Sequence, residues 1–401
     1  MKGRRYSVKS ISVLFIMQFI AFFDVSSQSI ISRDSIIVVY NRLTTPLVDK
    51  FLCCDTLRNS FGDYAWNVSY ILNADLLMYR ATNEKQYLLR FIKIADKIIS
   101  NRDDKIGLYD WQQKLGEGWS ESRAWDPKLN KNVQSKPMRY LINDAIISRP
   151  ILNFALVVTK QALHSFDSIA KYYTSEAEKT ITYHIKESWS PIRGVFYFPK
   201  GSPEPNDGAN VPMNYSAQTG SDMILLHKLT GKIYYKNFAE LLADSLKKNL
   251  SFVDSCYIWN YWGGQGDRGW TEKDSVSINT PRYGGHKCIE DIGHAGIDIE
   301  FIVDCYENDI LFSKQDVSRI INTYKKKINK GTYNAYNLSG SGKNDTKIIP
   351  SYKWLRLVHY EPAILSSFYT KYFQSALLYH GFGNAFFLAN VVYYYPPLEG
   401  K

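Results

Sequence analysis

The stretch that decides the fold is SYILNADLLMYRATNEKQYLLRFIKIADKIIS, residues 69–100. In its second half apolar residues recur at helical spacing, as at Tyr87, Phe91 and Ile94. A short polar turn at Thr82–Asn83 separates this half from an equally helical first half. The pattern therefore predicts two helices that fold back on each other as an antiparallel hairpin.

The same hairpin pattern returns further along the chain. Residues 76–97 align without a gap on residues 224–245, so that Asn83 corresponds to Gly231 at the turn. A recurring helical hairpin is typical of helical arrays and toroids. Two amphipathic hairpins can also agree by chance at a few positions, so the repeat favours a toroid without excluding another helical fold.

Long segments rich in Trp, Gly, Pro and Asp separate the helical stretches. Loops of this length in a compact domain usually carry function. Many of the aromatic residues, which make up 15% of the chain, lie in them, and this favours a binding cleft. A Tyr-rich core would explain part of the same excess. These long segments cover residues 108–127, 188–215 and 257–287, and further helices are predicted at 142–166, 291–306, 313–328 and 352–395.

The sequence thus predicts a mainly all-α protein. Because no domain linker interrupts the pattern, we expect one domain over residues 28–401. Its predicted architecture is an (α/α)n toroid or incomplete α/α barrel, in which helix hairpins surround a cleft formed by the long loops.

The N-terminus has the pattern of a secretory signal peptide. A basic segment (MKGRRYSVKS) precedes a predominantly apolar segment of 13 residues and the small residues of DVSSQ, which predicts cleavage after Ser27. An uncleaved membrane anchor is the alternative. Loss of residues 1–27 leaves 45 basic and 38 acidic residues, a net charge of +7. We therefore expect a secreted or periplasmic protein whose partner is an acidic polysaccharide or oligosaccharide.

Several functional classes find no support in the sequence. It contains no GxSxG, P-loop, GxGxxG or HExxH motif and no basic–aromatic nucleic-acid module. After the N-terminal segment, the sequence contains no apolar run long enough to span a bilayer. The five cysteines are too few for a disulfide scaffold. Pairing among Cys256, Cys288 and Cys305, the oligomeric state and a structural divalent cation all stay open, and we predict no cofactor and no metal site.

The segment EDIGHAGIDIEF (290–301) contains the strongest candidate site. At 100° per residue, Ile292, Ala295, Ile299 and Ile302 form an apolar stripe. The face predicted to be in solvent consists of Glu290, Gly293, Glu300, Asp304 and Glu307. Asp291, His294 and Asp298 lie on the flank between the two faces. Partial burial of such groups shifts their pKa values, as acid–base catalysis near neutral pH requires.

Each of the three flank residues also has a structural interpretation. Asp291 stands where the helix begins, and the helix-capping role is the favoured one. His294 is either a catalytic group or a buried structural one. Asp298 is predicted to orient His294 rather than to react. A metal ion is disfavoured because the potential ligands all come from one helix.

The loop TPRYGGHKC (280–288) precedes this helix and supplies Arg282, Tyr283 and His286. An Arg pairs with carboxylates, and a Tyr or His beside it suits proton abstraction next to a uronate carboxyl group. An ordinary glycine-containing loop is the alternative.

Other candidates lie at helix starts and in aromatic clusters. Asn214 and Tyr215 stand at the mouth of a helix, and Trp259, Tyr261 and Trp111 are predicted to stack on sugar rings. The segment NDAIISRP, residues 143–150, contains Asp144 and Arg149. These two side chains either face the cleft or form an ion pair.

Four segments in this order resemble a known family: NDAIISRPILNFALVV, VPMNYSAQTGSDMILLHKLTG, IWNYWG and EDIGHAGIDIEF. Over roughly residues 60–380 the chain resembles the helical-toroid proteins related to the C-terminal domain of D-glucuronyl C5-epimerase and to toroid polysaccharide lyases. The resemblance implies a glycan that contains uronic acid as substrate. It also implies that Tyr215, His286 and His294 carry the proton steps and that Asn214 and Arg282 neutralise the carboxylate.

The sequence and its family resemblance thus predict a secreted enzyme that removes the C5 proton of a uronate, as a β-elimination lyase or a C5-epimerase. One alternative is a glycoside hydrolase on the same scaffold, in which Asp291 or Asp298 works with a second acid such as Asp207 or Glu290. The other is a glycan-binding protein without catalysis.

Overall fold

The structure is a computed structural model that describes most of the chain after the N-terminal segment. The predicted signal peptide, residues 1–27, lies outside the described residues. The described ranges are 31–54, 59–122, 135–343, 349–378 and 381–395.

Helices dominate these ranges, as the periodicity predicts, and the strands are short. The longer helices are α1 (Arg33–Cys53), α2 (Ser69–Thr82), α3 (Lys85–Ser100), α4 (Leu141–Lys160), α5 (Asp167–Ser188), α6 (Met213–Thr230), α7 (Ile233–Asn249), α8 (Ile292–Tyr306), α9 (Lys314–Asn322), α10 (Ala363–Leu378) and α11 (Phe382–Tyr393). Single turns at Asp103–Ile106 and Gly264–Arg268, π-helical turns at Tyr64–Val68 and Thr323–Ile328, and 3₁₀ segments at His164–Phe166, Glu272–Asp274 and Ile349–His359 supplement them. Two antiparallel strand pairs join β1 (Trp189–Ser190) to β2 (Val195–Phe196) and β3 (Ser251–Val253) to β4 (Cys256–Ile258).

The two aligned stretches fold into equivalent hairpins, α2–α3 and α6–α7. Each first helix ends at a residue in the left-handed region, Asn83 with φ 61° and Gly231 with φ 71°. In each turn the preceding threonine closes the helix through its hydroxyl group, which donates to the carbonyl four residues earlier, at 2.8 Å for Thr82 and 2.7 Å for Thr230. The shared sequence thus encodes a shared turn.

Alternate helices of these hairpins form a ring. Around it α2 contacts α4, α4 contacts α6, and α6 contacts α8. The 3₁₀ segment Ile349–His359 packs between α8 and α11. The inner helices therefore surround a common axis, and their hairpin partners lie outside them. The prediction of an all-α toroid of helix hairpins is confirmed.

The ring closes by contact between the two ends of the described chain. The last helix, α11, packs on α2 and on α1. The Arg33 guanidinium donates to the Val392 carbonyl at 3.2 Å, and the Tyr395 hydroxyl donates to the Ile31 carbonyl at 3.0 Å. The first helix thus takes the outer position beside the last inner helix.

All inner helices run in the same direction because each hairpin is antiparallel. Inner and outer helices of one hairpin are joined by short connections, whereas long segments join α3 to α4, α5 to α6 and α7 to α8. The long loops and the N-termini of α4, α6 and α8 therefore lie at one end of the ring. We call this the loop end.

The inner helix α4 is buried on most of its surface. It is the one helix among the described residues that is long and apolar enough to cross a membrane, but 83% of its most apolar window is buried inside the protein. A helix in this position is apolar because other helices surround it.

Candidate active site

The residues before α8 are held between two other chain segments at the loop end. The backbone N–H of Glu290 donates to the Trp259 carbonyl at 3.0 Å. On the other side, the N–H of Leu338 donates to the Glu290 carbonyl at 3.0 Å, and that of Ile292 donates to the Tyr336 carbonyl at 2.8 Å. This pairing fixes the start of α8 and the side chains it carries.

Asp291 caps α8, as predicted. Its Oδ1 accepts from the backbone N–H of Gly293 at 2.7 Å and from that of His294 at 3.0 Å. Its Oδ2 lies 2.6 Å from Nδ1 of His294. Burial raises the pKa of Asp291, but these hydrogen bonds and the imidazole outweigh burial and lower it.

The Asp291–His294 pair leaves one imidazole nitrogen for other partners. Since a carboxylate only accepts hydrogen bonds, Nδ1 carries the proton and Nε2 is the basic nitrogen. The His294 side chain is 36% exposed. The Tyr261 ring lies beside it, with ring centroids 5.0 Å apart. The arrangement presents an oriented base next to a phenol.

Two further carboxyl groups lie beneath this pair and are fully buried. Asp298 accepts from Nε1 of Trp259 at 2.8 Å, and burial, with the charge of Asp291, raises the pKa of Asp298 to about 8. Glu290 lies 3.9 Å from Nδ1 of His294. Burial first, and then the nearby Asp298 and Asp291, raise the pKa of Glu290 well above its usual range. Burial thus favours the uncharged form of both groups.

The structure corrects the predicted solvent face of this helix. Glu290 is completely buried, and Glu300 and Asp304 are mostly buried and form ion pairs with Arg149. Glu307, at the C-terminal end of the helix, is exposed as predicted. A helical wheel separates polar from apolar residues but does not show which polar residues contact solvent, because on an inner helix other elements cover much of the polar side.

A second correction concerns the partner of His294. The sequence predicts that Asp298 orients this imidazole. In the structure Asp291 orients it, and Asp298 accepts a hydrogen bond from the Trp259 indole. Asp291 precedes His294 by three residues at the N-cap, where its carboxylate reaches both the backbone N–H groups and the ring.

The start of α6 places its two candidates differently. Tyr215 is buried, and its ring packs edge-on against Phe198 at 6.0 Å between centroids. Asn214 is also fully buried, and neither its amide nitrogen nor its amide oxygen has a hydrogen-bond partner in the described part of the chain. Tyr261, rather than Tyr215, is the tyrosine that the structure brings to His294.

The loop 280–288 is attached to its own neighbours. Nε of Arg282 lies 3.0 Å from a Glu272 carboxylate oxygen, and Tyr283 packs on Trp270 with ring centroids 4.5 Å apart. His286 is exposed, and its backbone N–H donates to Gly266 at 3.1 Å. These contacts hold the loop to residues 266–272 rather than to His294.

The predicted stacking residues also differ in exposure. Trp259 is 2% exposed, so its ring face is not available to a sugar, and its role is the hydrogen bond to Asp298. Tyr261 and Trp111 are half-buried and retain accessible surface. Sequence alternation could not distinguish a buried tryptophan from an exposed one in this loop.

A cation would meet the donor set Glu290, Asp291 and His294, whose potential ligand atoms lie within 4.8 Å of one another. Carboxylates and imidazole are metal-binding groups. Here, however, Nδ1 of His294 and both oxygens of Asp291 are already engaged with each other or with the backbone. The geometry therefore favours an acid–base pair over a preformed metal site.

Two other predictions concern the cysteines and Asp207. Cys256 and Cys288 are free thiols in the structure. Asp207 is fully buried and accepts hydrogen bonds from the backbone N–H groups of Gly201, Ile278 and Asn279 at 2.6–3.1 Å. Its carboxylate joins two long loops, which makes it unsuitable as the second acid of a hydrolase.

Comparison with known proteins supports the fold. No protein-family model and no curated protein matches the chain by sequence. A GH76 α-mannanase of Bacteroides thetaiotaomicron superposes with a TM-score of 0.53 and 11% identity, over 91% of this chain and 97% of that one. A polysaccharide lyase superposes with a TM-score of 0.52 and 10% identity, over 92% and 99%. The chain thus has the α/α-toroid fold that these carbohydrate-active enzymes share.

Proposed function

We propose that this protein is an exported glycan-active enzyme in which His294 removes the C5 proton of a uronate residue. The observation that carries the proposal is the Asp291–His294 pair, with 2.6 Å between Nδ1 and Oδ2 and a partly exposed imidazole at the loop end. A histidine oriented by a carboxylate is a common general base.

The proposed chemistry begins with transfer of the C5 proton to Nε2 of His294. The electron pair left on C5 is delocalised into the uronate carboxyl group. In a lyase it then forms the C4–C5 double bond and expels the oxygen at C4, which takes up a proton. In an epimerase a proton returns to C5 from the opposite face. Tyr261, beside His294, is our candidate for the second proton step.

The charges near His294 are compatible with an anionic substrate. Burial raises the pKa of Glu290 and that of Asp298 and so favours their uncharged forms, whereas the carboxylate of Asp291 is paired with His294. A uronate bound at His294 therefore meets little net repulsion from these groups.

A glycoside hydrolase is the second candidate, and one observation favours it. The environment pushes the pKa of Glu290 up and that of Asp291 down, while their carboxyl oxygens lie within 4.8 Å of each other. Glycoside hydrolases use one protonated and one ionised carboxyl group in this way. The full burial of Glu290 and the hydrogen bonds that occupy Asp291 make this candidate the weaker one.

The test incubates the protein with a panel of soluble glycans, including chondroitin, alginate, pectate, xylan and mannan. A new far-ultraviolet absorbance reports the unsaturated product of a lyase. Deuterium uptake at C5 without that absorbance reports an epimerase, and new reducing ends without a double bond report a hydrolase. Binding without any product would contradict an enzymatic function and favour a glycan-binding protein.

The assignment of the base is tested separately with His294→Ala and a matched control, His164→Ala. His164 also pairs with an aspartate three residues away, but it lies on the surface between α4 and α5. We expect His294→Ala to lower kcat by roughly 10²–10⁴-fold, and His164→Ala to leave it unchanged. Equal activity of the two variants would remove His294 from the mechanism.

A further inference from the structure

The loop of residues 329–343 lies against the candidate active site and carries positive charge. Its sequence, NKGTYNAYNLSGSGK, contains two lysines and two tyrosines but no Asp or Glu. The middle of the loop pairs with the start of α8, because Asn337 forms a bridge with Asp291 and the Tyr336 carbonyl accepts from the Ile292 N–H at 2.8 Å. Loop 329–343 therefore borders the candidate active site at the loop end.

Tyr336 presents an aromatic ring beside the Asp291–His294 pair. The residue is 45% exposed. Partial burial, followed by the charges of Asp291, Cys288 and Glu290, raises the pKa of Tyr336, so its hydroxyl group lies near these residues. An exposed ring next to a reacting sugar suits stacking on the neighbouring sugar, because the carbon-bound face of a pyranose is apolar.

Hydrogen-bonded turns hold the loop in shape. The Lys330 N–H donates to the Tyr333 carbonyl at 3.0 Å. Oδ1 of Asn337 accepts from the backbone N–H groups of Ser339 and Ser341 at 3.1 and 3.2 Å. The Ser339 hydroxyl donates to the same oxygen at 2.7 Å. The loop is thus ordered by its own contacts, which lowers the entropic cost of binding a ligand.

The two lysines of the loop differ from those that precede it. Nζ of Lys325 and Nζ of Lys327 lie 2.8 Å and 3.1 Å from carboxylate oxygens. Lys330 and Lys343 are exposed, and neither forms an ion pair with an acid in the described ranges. The next acid along the chain, Asp345, lies outside these ranges. The loop therefore offers two positive charges that no described acid neutralises.

Both lysines belong to the part of the loop that carries Tyr336. Nζ of Lys330 lies beside Gly340. Lys343 directly follows Gly342, which packs against the Tyr336 side chain. One exposed ring and two cations thus occur together on a short surface next to the candidate active site.

We propose that loop 329–343 binds an acidic sugar residue next to the one that reacts at His294. The ring of that sugar stacks on Tyr336, and its carboxylate or sulfate group pairs with Lys330 or Lys343. A lysine recognises charge rather than a fixed bidentate geometry, so either acidic group fits. The inference rests on the proposed function and deepens it, because the substrate then carries acidic groups on at least two residues.

The test measures binding of hexasaccharides by isothermal titration calorimetry at low and at physiological salt. The acidic ligands are oligogalacturonate, which carries carboxylates, and a chondroitin sulfate oligosaccharide, which also carries sulfates. A neutral mannan hexasaccharide is the comparison. The full chain carries His294→Ala, so that it does not turn over the ligand. We expect an acidic ligand to bind more tightly than the neutral one and salt to weaken this binding.

The contribution of the two loop lysines is tested in this background with Lys330→Ala/Lys343→Ala. The matched control, Lys85→Ala/Lys93→Ala, removes two exposed lysines of α3. We expect the loop variant to raise the Kd of the acidic hexasaccharide roughly fivefold or more at low salt, and the control to change it by less than about twofold. If both variants weaken binding equally, the overall positive charge of the protein explains the binding and the inference is wrong.

The stacking contact is tested with Tyr336→Ala, and Tyr234→Ala removes a similarly exposed ring on α7 as the control. We expect the Kd to rise roughly fivefold for Tyr336→Ala, to change little for Tyr336→Phe and to stay the same for the control. Thermal melting shows that each variant is folded. If polyglutamate displaces the hexasaccharide as effectively as a second hexasaccharide does, charge alone explains the binding and the inference is overturned.

The readout separates this inference from the proposed function. Binding that depends on Tyr336 and on the loop lysines, without any product from the natural protein, contradicts only the proposed chemistry. Product formation with binding that does not depend on the loop contradicts only the inference.

Discussion

The two halves of α8 hold acidic side chains in opposite states. In the C-terminal half, Asp304 lies 2.7 Å from Arg149 and 3.6 Å from Arg356, and Glu300 forms an ion pair with Lys353; both carboxylates are mostly buried. In the N-terminal half, the fully buried Asp298 has no Lys or Arg partner within the described chain, and one of its oxygens has no hydrogen bond.

This difference separates groups that hold the ring together from groups available for chemistry. Burial raises the pKa of Asp304, but Arg149 and Arg356 outweigh it and lower the pKa. Burial without a cation raises the pKa of Asp298 to about 8. Strongly shifted groups beside an accessible histidine are what a catalytic site requires, whereas a neutralised network requires no ligand.

The largest expected effect is on stability, from Arg149→Met. The variant leaves Glu300 and Asp304 buried with fewer positive charges, so we expect the free energy of unfolding to fall by roughly 3–5 kcal/mol. Chemical denaturation measures it. The control is Arg193→Met, because Arg193 is exposed. If Arg149→Met lowers the free energy of unfolding by less than about 1 kcal/mol, the ion pairs of Arg149 with Glu300 and Asp304 do not stabilise the ring.

The next effect is on catalysis, from Asp291→Asn. Asparagine caps helices as well as aspartate does, so the start of α8 stays intact. It cannot hold the imidazole as a charged acceptor, and we expect kcat to fall roughly 10²–10³-fold with little change in melting temperature. Unchanged kcat in a folded variant would mean that the Asp291–His294 pair is only a capping device.

The third prediction concerns pH and uses Asp298→Asn. The pKa of Asp298 is about 8 in the folded state and roughly 3.9 when unfolded. The folded state therefore binds more protons between these values, and stability from this group is present at low pH and lost as pH rises through 8. We expect the variant to gain up to roughly 4 kcal/mol of stability relative to the natural protein between pH 5 and pH 9.

Glu290, Asp291 and Trp259 face Asp298 and remain in that variant. Denaturation curves at the two pH values give the difference. The matched change in the C-terminal half, Asp304→Asn, removes an ion-paired carboxylate and is expected to destabilise the protein near neutral pH. If both variants respond to pH in the same direction, the contrast between the two halves of α8 is wrong.

The smallest effect belongs to a second His–Asp pair, on the surface. His164 and Asp167 lie 3.2 Å apart and are largely exposed. Water and salt screen such a pair, so His164→Ala is expected to change the free energy of unfolding by less than about 0.5 kcal/mol. Thermal melting beside His294→Ala measures this. A larger change would mean that a His–Asp pair at this spacing stabilises the protein even when it is exposed to solvent.

The helical architecture was predictable because it depends on local patterns. Periodic apolar residues and the turns at Asn83 and Gly231 define hairpins within a few residues of chain. Closure of the ring was not predictable in this way. It depends on contacts such as that of Arg33 with Val392, between residues that no sequence period relates.

The candidate site was predictable in part for the same reason. The cap at Asp291 follows from position, and His294 follows from its place on the flank of the helix. The burial of Glu290 and Trp259 depends on segments 259–261 and 336–338, which lie far away in sequence.

Closure by α1 and α11 also has a consequence for biogenesis. A ribosome releases the chain from its N-terminus, so α1 emerges long before α11 and α2 have jointly formed the groove in which it packs. The ring therefore closes late, because its final contacts become possible only once α11 has been synthesised.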